Sequence, residues 1–280
     1  MVAALYVVGT PIGNLRDLTL RALDVLKAVD VVAAEDTRVT RHLLQHYGSD
    51  AQLVSLHEHI EEERSARVLD LLRAGKSVAL VSDAGTPAIS DPGARLVRRV
   101  REAGFPVIPI PGPSAVTTAM SVAGLRSEHF LFYGFLPVQS GARLRELEAL
   151  RESSAALVFY EAPHRVHETL SDLARLLGGE REVIIARELT KLFETIHVCR
   201  LDEALAWLEA DPNRSRGEFV VVVEGAPASR AAQAAEGERA LSILLRELPL
   251  KQAVQLAAEI TGAKRNALYD RALELKGTRG

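Results

Sequence analysis

The sequence predicts an α/β fold, in which two α/β domains precede a small helical domain. In the first half of the chain, short β-branched runs alternate with longer amphipathic runs, which is the pattern of βαβ units around a parallel sheet. The second half contains strands joined by a link too short for a helix, which indicates a mixed sheet. A tract of small and polar residues then leads into three amphipathic segments.

The composition is that of a soluble globular protein, with 280 residues of which 48% are hydrophobic and 25% charged. The net charge of −3 excludes a polycation, so nucleic-acid binding would need a local basic patch. Cys199 is the only cysteine, which excludes an internal disulfide and favours a reducing compartment. Because we find neither a signal peptide nor an apolar run of the roughly 20 residues that a membrane helix needs, we expect a cytoplasmic protein with no membrane contact.

The first domain is predicted over residues 1–118. Thr19 is the expected N-cap of its first helix, because leucines recur at three-residue spacing directly after it. The expected strands cover residues 3–8, 31–34, 77–81 and 106–110. The expected helices lie near 19–30, 37–46, 61–73 and 93–103, with a last one after residues 111–115.

The second domain is predicted over residues 119–226, and the short link between its third and fourth strands predicts a hairpin. Its expected strands cover residues 130–134, 155–160, 182–187, 193–199 and 218–224. Its expected helices lie near 142–151, 165–177 and 202–210.

Residues 227–280 are predicted to form a linker and a C-terminal helical domain. The small, polar residues 226–238 are typical of a linker. Three helices are expected after it, and the Thr261-Gly262 junction between the last two resembles a helix-turn-helix. They cover residues 238–247, 250–260 and 264–276. Residues 236–280 carry a net charge of +2 and the remainder −5, so the basic part of the molecule is its C-terminal segment.

Three loops rich in small residues follow strands of the first domain: GTPIGN (9–14), SDAGTPAISDPG (82–93) and PGPSA (111–115). In an open α/β sheet, loops after the carboxyl ends of strands line the ligand crevice. One such loop is most simply an ordinary tight turn. Three together predict a nucleotide-like ligand held largely by the main chain.

Two stretches resemble known phosphate-binding or metal-binding motifs but lack residues that those motifs require. Gly75-Lys76-Ser77 is not a P-loop, because it precedes a strand and Asp70 stands where that motif needs its first glycine. His57 and His59 alternate with Glu58 but lack a third ligand at standard spacing, so we expect no metal site.

Charged clusters end three of the predicted strands, at residues 35–38, 160–165 and 187–191. Helix caps and internal ion pairs would explain each cluster alone, with Asp36 as a cap. Together they are also what an anionic, hydroxyl-bearing substrate would need. Both interpretations remain open at this point.

Seven motifs occur in a fixed order over residues 1–225: VGTPIGNL, AEDTR, SDAGTPAISDPG, PGPSA, FYEAPHR, ARELTKLFE and GEFVVVVEG. In this order they closely resemble the ribosomal RNA small subunit methyltransferase branch of the tetrapyrrole (corrin/porphyrin) methylase superfamily. The C-terminal helices resemble that branch's small extra domain.

The resemblance implies transfer of a methyl group from S-adenosylmethionine to the ribose 2′-hydroxyl of a cytidine in the decoding region of 16S rRNA. It implies two α/β domains with the cofactor in the cleft between them, and a homodimer. By motif, it assigns cofactor contacts to Pro11, Asp83, Ala84, Gly85, Thr86, Ile89, Ser114, Ala115, Tyr160, Glu161 and Leu189.

Given this resemblance, the charged residues at the strand ends are the candidates for catalysis and for RNA contact. Glu188 or Glu35 is the expected partner of the attacking hydroxyl, with Lys191 beside it, although positioning alone remains an equal alternative. The residues expected to contact RNA are Arg38, His164, Arg165, Arg187, Lys264 and Arg265.

Two other functions stay open. A corrinoid or porphyrin C-methyltransferase is the alternative enzyme, but the first loop reads GTPIGN where that branch has G-x-G-P-G-D. A non-catalytic RNA-binding assembly factor is the second alternative, and the intact small-residue loops argue against it.

Overall fold

The computed structural model describes residues 1–56, 61–227 and 230–277 and has the predicted α/β fold. Its first sheet is five-stranded and entirely parallel, in the order β3-β2-β4-β1-β5. The strands are β1 (Leu5–Val8), β2 (Val31–Ala34), β3 (Gln52–Ser55), β4 (Val78–Val81) and β5 (Val107–Ile110). Strands β1, β2 and β4 are short apolar runs because helices cover the sheet on both faces.

Helices α1 and α2 pack on one face of this sheet, and α3 and α4 pack on the other. The helices of this half are α1 (Leu20–Ala28), α2 (Thr37–His46), α3 (Glu61–Arg73), α4 (Ala94–Glu102) and α5 (Ala115–Ala123). The predicted cap of α1 is confirmed, since the Thr19 hydroxyl accepts a hydrogen bond from the Ala22 N–H at 3.2 Å. Asp36 caps α2 by accepting from the Arg38 N–H at 2.8 Å.

Strand β3 was not predicted from the sequence. It lies at the edge of the sheet, where only Val54 is buried, Leu53 and Ser55 are half-buried and Gln52 is exposed. An edge strand with one buried residue gives no alternating or continuous apolar signal.

The second sheet is mixed, in the order β6-β7-β10-β8-β9. Its strands are β6 (Phe130–Phe135), β7 (Ala156–Glu161), β8 (Glu182–Arg187), β9 (Thr195–Arg200) and β10 (Phe219–Val223). Strand β6 runs parallel to β7, and the other pairs are antiparallel. The predicted hairpin is confirmed, because Arg187 pairs with Thr195 in the antiparallel β8–β9 ladder.

Helices α6 (Ser140–Leu150), α7 (Val166–Leu177) and α8 (Leu201–Glu209) cover one face of the second sheet. Helix α5 covers the other face with Val116, Ala119 and Ala123. It therefore belongs to the second sheet by its packing, although its first turn continues the loop after β5. The domain boundary predicted at residues 118/119 falls inside α5 and stays a prediction.

The C-terminal helices form a core of their own around Leu241, Val254 and Leu268. They are α9 (Arg230–Leu244), α10 (Leu250–Thr261) and α11 (Arg265–Gly277). The predicted linker over 226–238 is wrong from residue 230 onward, because α9 begins there. The alanines of this stretch are strong helix formers, which the interpretation as a small-residue linker ignored. Gly262 ends α10 in the left-handed conformation, with φ of 69°.

None of the helices in the described ranges combines the length and the apolar character that a membrane span needs.

Candidate active site

The three small-residue loops meet at the carboxyl edge of the first sheet, as predicted. Thr10 and Gly85 exchange two backbone hydrogen bonds, of 2.8 and 3.1 Å, which join the first loop to the second. The Thr86 hydroxyl donates to the Pro113 carbonyl at 3.2 Å, which joins the second loop to the third. The loops therefore form one backbone surface.

Two glycines allow the first and third loops to touch. A Cβ placed on Gly9 would lie 2.9 Å from the Gly112 Cα, and one on Gly112 would lie 2.8 Å from the Gly9 oxygen. Neither position leaves room for a side chain, which explains why both loops need glycine where their backbones pass.

A cavity of about 300 Å³ opens between this surface and the second sheet, and we call it the first cavity. Its volume is at the lower end of the range typical of small-molecule sites. Nine of the eleven residues expected to hold the cofactor line it: Ala84, Gly85, Thr86, Ile89, Ser114, Ala115, Tyr160, Glu161 and Leu189. The first six come from the loops of the first sheet and the start of α5. Tyr160 and Glu161 are the last two residues of β7, and Leu189 lies in the loop after β8.

The other two expected cofactor residues, Pro11 and Asp83, line an adjoining second cavity of about 370 Å³. This second cavity lies between the first loop and α2. The two cavities share four residues, which are Ile12, Ala84, Lys191 and Glu218. The arrangement offers two neighbouring compartments with a common wall.

The backbone is strained on both sides of the first cavity. Among the described residues, four that are not glycine have positive φ: Ala88 at 68°, Ser90 at 59°, Glu188 at 52° and Thr190 at 66°. The first two lie in the loop after β4 and the others in the loop after β8. Such strain persists only where surrounding structure enforces it, and it is concentrated at functional sites.

Lys191 is held between two carboxylates. Its Nζ lies 2.8 Å from Glu188 Oε1 and 2.8 Å from Glu218 Oε2. Burial alone would raise the pKa of Glu188, but hydrogen bonds from Lys191 and from the Glu218 N–H outweigh it and lower that pKa. Glu188 is therefore a fixed anion at neutral pH and a weak base.

Glu161 lies in the wall of the first cavity, but its carboxylate is committed to internal contacts. It accepts hydrogen bonds from the Ala162 N–H at 2.8 Å and from the Thr169 hydroxyl at 2.6 Å. Arg165 Nε lies 3.3 Å from the same carboxylate, and its guanidinium donates to the Leu136 carbonyl. These contacts agree with the interpretation as internal ion pairs, and the Arg165 side chain is 13% exposed. Its contact with RNA stays a prediction.

Arg187 likewise makes internal contacts, and its contact with RNA stays a prediction. It is 8% exposed and donates to the carbonyls of Arg216 and Phe193 at 2.6 and 3.0 Å. Arg38 is exposed and paired with Asp36 at 2.7 Å. The remaining residues expected at RNA are exposed, His164 after β7 and both Lys264 and Arg265 at the start of α11.

Glu35 lines neither cavity. Its Oε2 accepts a hydrogen bond of 3.4 Å from the Asp83 N–H, and Asp83 in turn accepts one of 2.9 Å from the Asp36 N–H. These contacts join the ends of β2 and β4.

Several residues of the first cavity were missed from the sequence. They include Ser90, Asp91, Phe135, Pro163, Glu218 and Val220. Ser90 and Asp91 could have been predicted, because both lie in the SDAGTPAISDPG motif. Burial is the main cause that raises the pKa of Asp91 to about 6, and the negative charge of Glu35 adds to it.

No cluster of three or more potential metal ligands occurs in the part of the chain that the structure describes. His57 and His59, the pair considered for metal binding, lie outside the described residues.

Two family profiles match the chain. The family of Tetrapyrrole (Corrin/Porphyrin) Methylases matches residues 4–205, and the RsmI C-terminal HTH domain matches residues 231–276. A protein of Escherichia coli O157:H7 named Ribosomal RNA small subunit methyltransferase I is 52% identical over 273 residues, which cover 98% of this chain and 96% of that protein. The chain belongs to the ribosomal RNA small subunit methyltransferase I family. A Pseudomonas aeruginosa protein of the same name is 50% identical over 275 residues, which cover 98% of each.

Solved structures of tetrapyrrole methylases share the fold of this family member. A uroporphyrin-III-C-methyltransferase from Thermus thermophilus is 23% identical, with a TM-score of 0.56 over 79% of this chain and 94% of that one. A cobalt precorrin-4 methyltransferase is 17% identical, with a TM-score of 0.59 over 79% and 95%. The fold predicted from the motifs is confirmed.

Proposed function

We propose that this chain transfers the methyl group of S-adenosylmethionine to the ribose 2′-hydroxyl of a cytidine in the decoding region of 16S rRNA. The observation that carries the proposal is the first cavity, in whose wall nine of the eleven expected cofactor residues meet. The near full-length relatives named as small subunit rRNA methyltransferases support the substrate class.

The residues present suit this cofactor. Gly85 has φ of 75°, and a Cβ there would lie 3.4 Å from Ile12, so a larger residue would narrow the cavity. Ser114 is the N-cap of α5, and its side chain makes no capping hydrogen bond. The Val116 N–H donates to the Tyr160 hydroxyl, so the Ala115 N–H is the group at this helix start that could receive an anionic group such as the cofactor carboxylate. Apolar side chains such as Ile89 and Leu189 would receive the nucleoside.

When bound, S-adenosylmethionine supplies a methyl group on a positively charged sulfur atom. The chain's own task is to hold the acceptor hydroxyl in line and close to it. Lys191 is placed for this because it lines both cavities, and Glu188 fixes its ammonium group. The lowered pKa of Glu188 favours a positioning role over proton removal. Glu35 is the weaker candidate because it lines neither cavity.

We infer that the exposed cations contact the RNA, with Lys264 and Arg265 as the main candidates outside the cleft. Both lie at the start of α11, in the basic C-terminal domain. Replacing both with alanine should weaken binding to small-subunit RNA and reduce the slope of log affinity against log salt by about 2. S-adenosylmethionine binding should stay unchanged. An unaltered slope of log affinity against log salt would show that Lys264 and Arg265 do not contact the RNA.

The direct test uses small ribosomal subunits that lack the modification. The purified protein should transfer labelled methyl from S-adenosylmethionine to their 16S rRNA, in an alkali-resistant form that marks a 2′-O-methyl ribose. Label appearing in uroporphyrinogen instead would favour the tetrapyrrole alternative. Failure to bind S-adenosylmethionine in a calorimetric titration would favour the non-catalytic assembly factor.

A cytoplasmic homodimer is the assembly we propose. Apolar side chains lie exposed beside the edge strand β9, with Leu192 88% and Phe193 67% exposed. Light scattering should give twice the 30.4 kDa of one chain. Charged substitutions at both positions should then yield the monomer mass.

A further inference from the structure

Asp91 is the acid of the first cavity that the proposed mechanism does not use. It lies in the loop between β4 and α4 and lines the cavity beside Ser90. The positive φ of Ser90 and Ala88 turns this loop toward the second sheet, where a Cβ on Gly134 would lie 2.8 Å from Ser90 Oγ. Both domains therefore fix the loop that carries Asp91.

The other two acids that line the first cavity are already committed. The Glu161 carboxylate accepts from Thr169 and lies beside Arg165, and Glu218 is paired with Lys191. Asp91 has a hydrogen bond with the Ser82 side chain, but no basic group lies within ion-pair distance of it among the described residues.

The groups that face Asp91 from neighbouring elements make its ionisation harder. Glu35 at the end of β2 and Asp83 in the same loop are both negative and raise its pKa, after burial. Tyr160 of β7 is neutral at physiological pH, and the Asp91 charge adds to the burial that raises its pKa. The cation of the cavity, Lys191, is held by two other carboxylates. A half-buried carboxylate in such surroundings is stabilised by a cationic ligand.

We propose that the Asp91 carboxylate is the counter-charge for the cationic methyl donor, and that donor binding is coupled to loss of the Asp91 proton. The inference rests on the proposed function, since it places the donor in the first cavity. It makes Asp91 a residue that selects the charge of the ligand, separate from the backbone contacts of the small-residue loops.

The coupling predicts a pH-dependent affinity. Free Asp91, with a pKa of about 6, is mostly protonated at pH 5 and mostly ionised at pH 7. A nearby cation favours the ionised form and lowers that pKa in the complex, so affinity rises with pH through 6 and levels off above it. Between pH 5 and pH 7 we expect about a tenfold increase in affinity for S-adenosylmethionine.

Isothermal titration calorimetry of the full chain with S-adenosylmethionine and with S-adenosylhomocysteine tests this. Asp91→Asn should bind S-adenosylmethionine at least about tenfold more weakly at pH 7, with no pH dependence between 5 and 7. Asp24→Asn, an exposed change on α1, is the matched control and should match the unchanged protein. A larger loss for S-adenosylmethionine than for S-adenosylhomocysteine identifies the sulfonium as the partner, and equal losses identify the ammonium group.

A second variant tests the same coupling if Asp91→Asn folds poorly. Glu35→Gln removes a negative charge that raises the Asp91 pKa, so the midpoint of the affinity-against-pH curve should move below 6. A carboxyl-carbon NMR titration of the free protein should show the same shift for Asp91.

Two results would overturn the inference. One is a pH-independent affinity of the unchanged protein between 5 and 7. The other is normal donor binding by Asp91→Asn, and lost methyl transfer in that variant would then assign Asp91 to the acceptor side. If the unchanged protein binds the donor with the expected pH dependence but does not methylate small subunits, the proposed function fails and the inference about Asp91 stands.

Discussion

The two domains contribute to the first cavity in different ways. The first sheet supplies loops of small residues whose backbones touch, as at Gly9 and Gly112, and whose hydrogen bonds join the loops to one another. The second sheet ends in charged clusters, but most of those charges bind inside the domain. Arg187 donates to backbone carbonyls, and Glu161, at the end of β7, accepts from Thr169 of the following helix α7. Small residues at the strand ends of the first sheet therefore meet at the first cavity, whereas charged residues at the strand ends of the second sheet mostly contact their own domain.

The largest expected effect tests whether buried charges of the second domain are structural. Arg143 is 2% exposed, and its Nε lies 2.7 Å from Asp172 Oδ2. Arg143→Ala leaves the buried Asp172 carboxylate with only the exposed Arg175, 3.3 Å away, as its partner, which should lower the free energy of unfolding by about 3–5 kcal/mol. Urea denaturation measures this loss.

Arg145→Ala is the control, because Arg145 is exposed on the same helix and should change stability by less than about 0.5 kcal/mol. At a temperature where Arg143→Ala is still folded, its affinity for S-adenosylmethionine should be normal. A weakened affinity would mean that this ion pair also shapes the cleft.

An intermediate effect tests the backbone surface of the first domain. Gly112→Ala places a Cβ 2.8 Å from the Gly9 oxygen, so the first and third loops must separate. We expect a loss of about 1–3 kcal/mol in the free energy of unfolding, together with weaker S-adenosylmethionine binding. Gly141→Ala, in the first turn of α6, has open space around the new methyl group, so it should leave S-adenosylmethionine binding unchanged and should not lower the free energy of unfolding, because alanine is the better helix former. If the two variants have the same stability and the same affinity for S-adenosylmethionine, the close approach of Gly9 and Gly112 is not needed for either.

The smallest expected effect is the pH dependence contributed by Glu188. Its pKa is lowered in the folded protein from the ordinary 4.5, because the contacts with Lys191 and the Glu218 N–H outweigh burial. The stabilisation is thus fully present above pH 4.5 and is lost as the pH falls below it toward the folded pKa. Glu188→Gln should flatten this part of the stability curve, whereas Glu102→Gln, an exposed change, should not. Coincident curves for all three proteins would contradict the prediction.

Much of the fold could be predicted from local patterns in the sequence. The buried strands β1, β2 and β4 were predicted within two residues because each is a short apolar run bounded by polar or small residues. Strand β3 escaped prediction because its pairing with β2, and not its own pattern, makes it a strand. The first turns of α9 were misjudged because alanine was counted as a small residue and not as a helix former.

The site was predictable where it depends on loop backbone and less so where it depends on burial. The cofactor residues proposed from the motifs converge because three neighbouring parallel strands end at one edge. Asp91 was missed because its burial depends on contact between its loop and the distant strand β6. The contacts of Arg165 with the Leu136 carbonyl and with Glu161 could not be predicted, because only tertiary packing brings these groups together.

Helix α5 begins in the wall of the first cavity and continues across the second sheet. Fragments separated at residues 118/119 would divide this helix, and the amino-terminal piece would keep only Val116 of the three α5 residues buried on that sheet. Such halves would not reassemble by simple complementation. A split reporter built on this scaffold should therefore be cut after β10, which leaves the cleft intact in one piece.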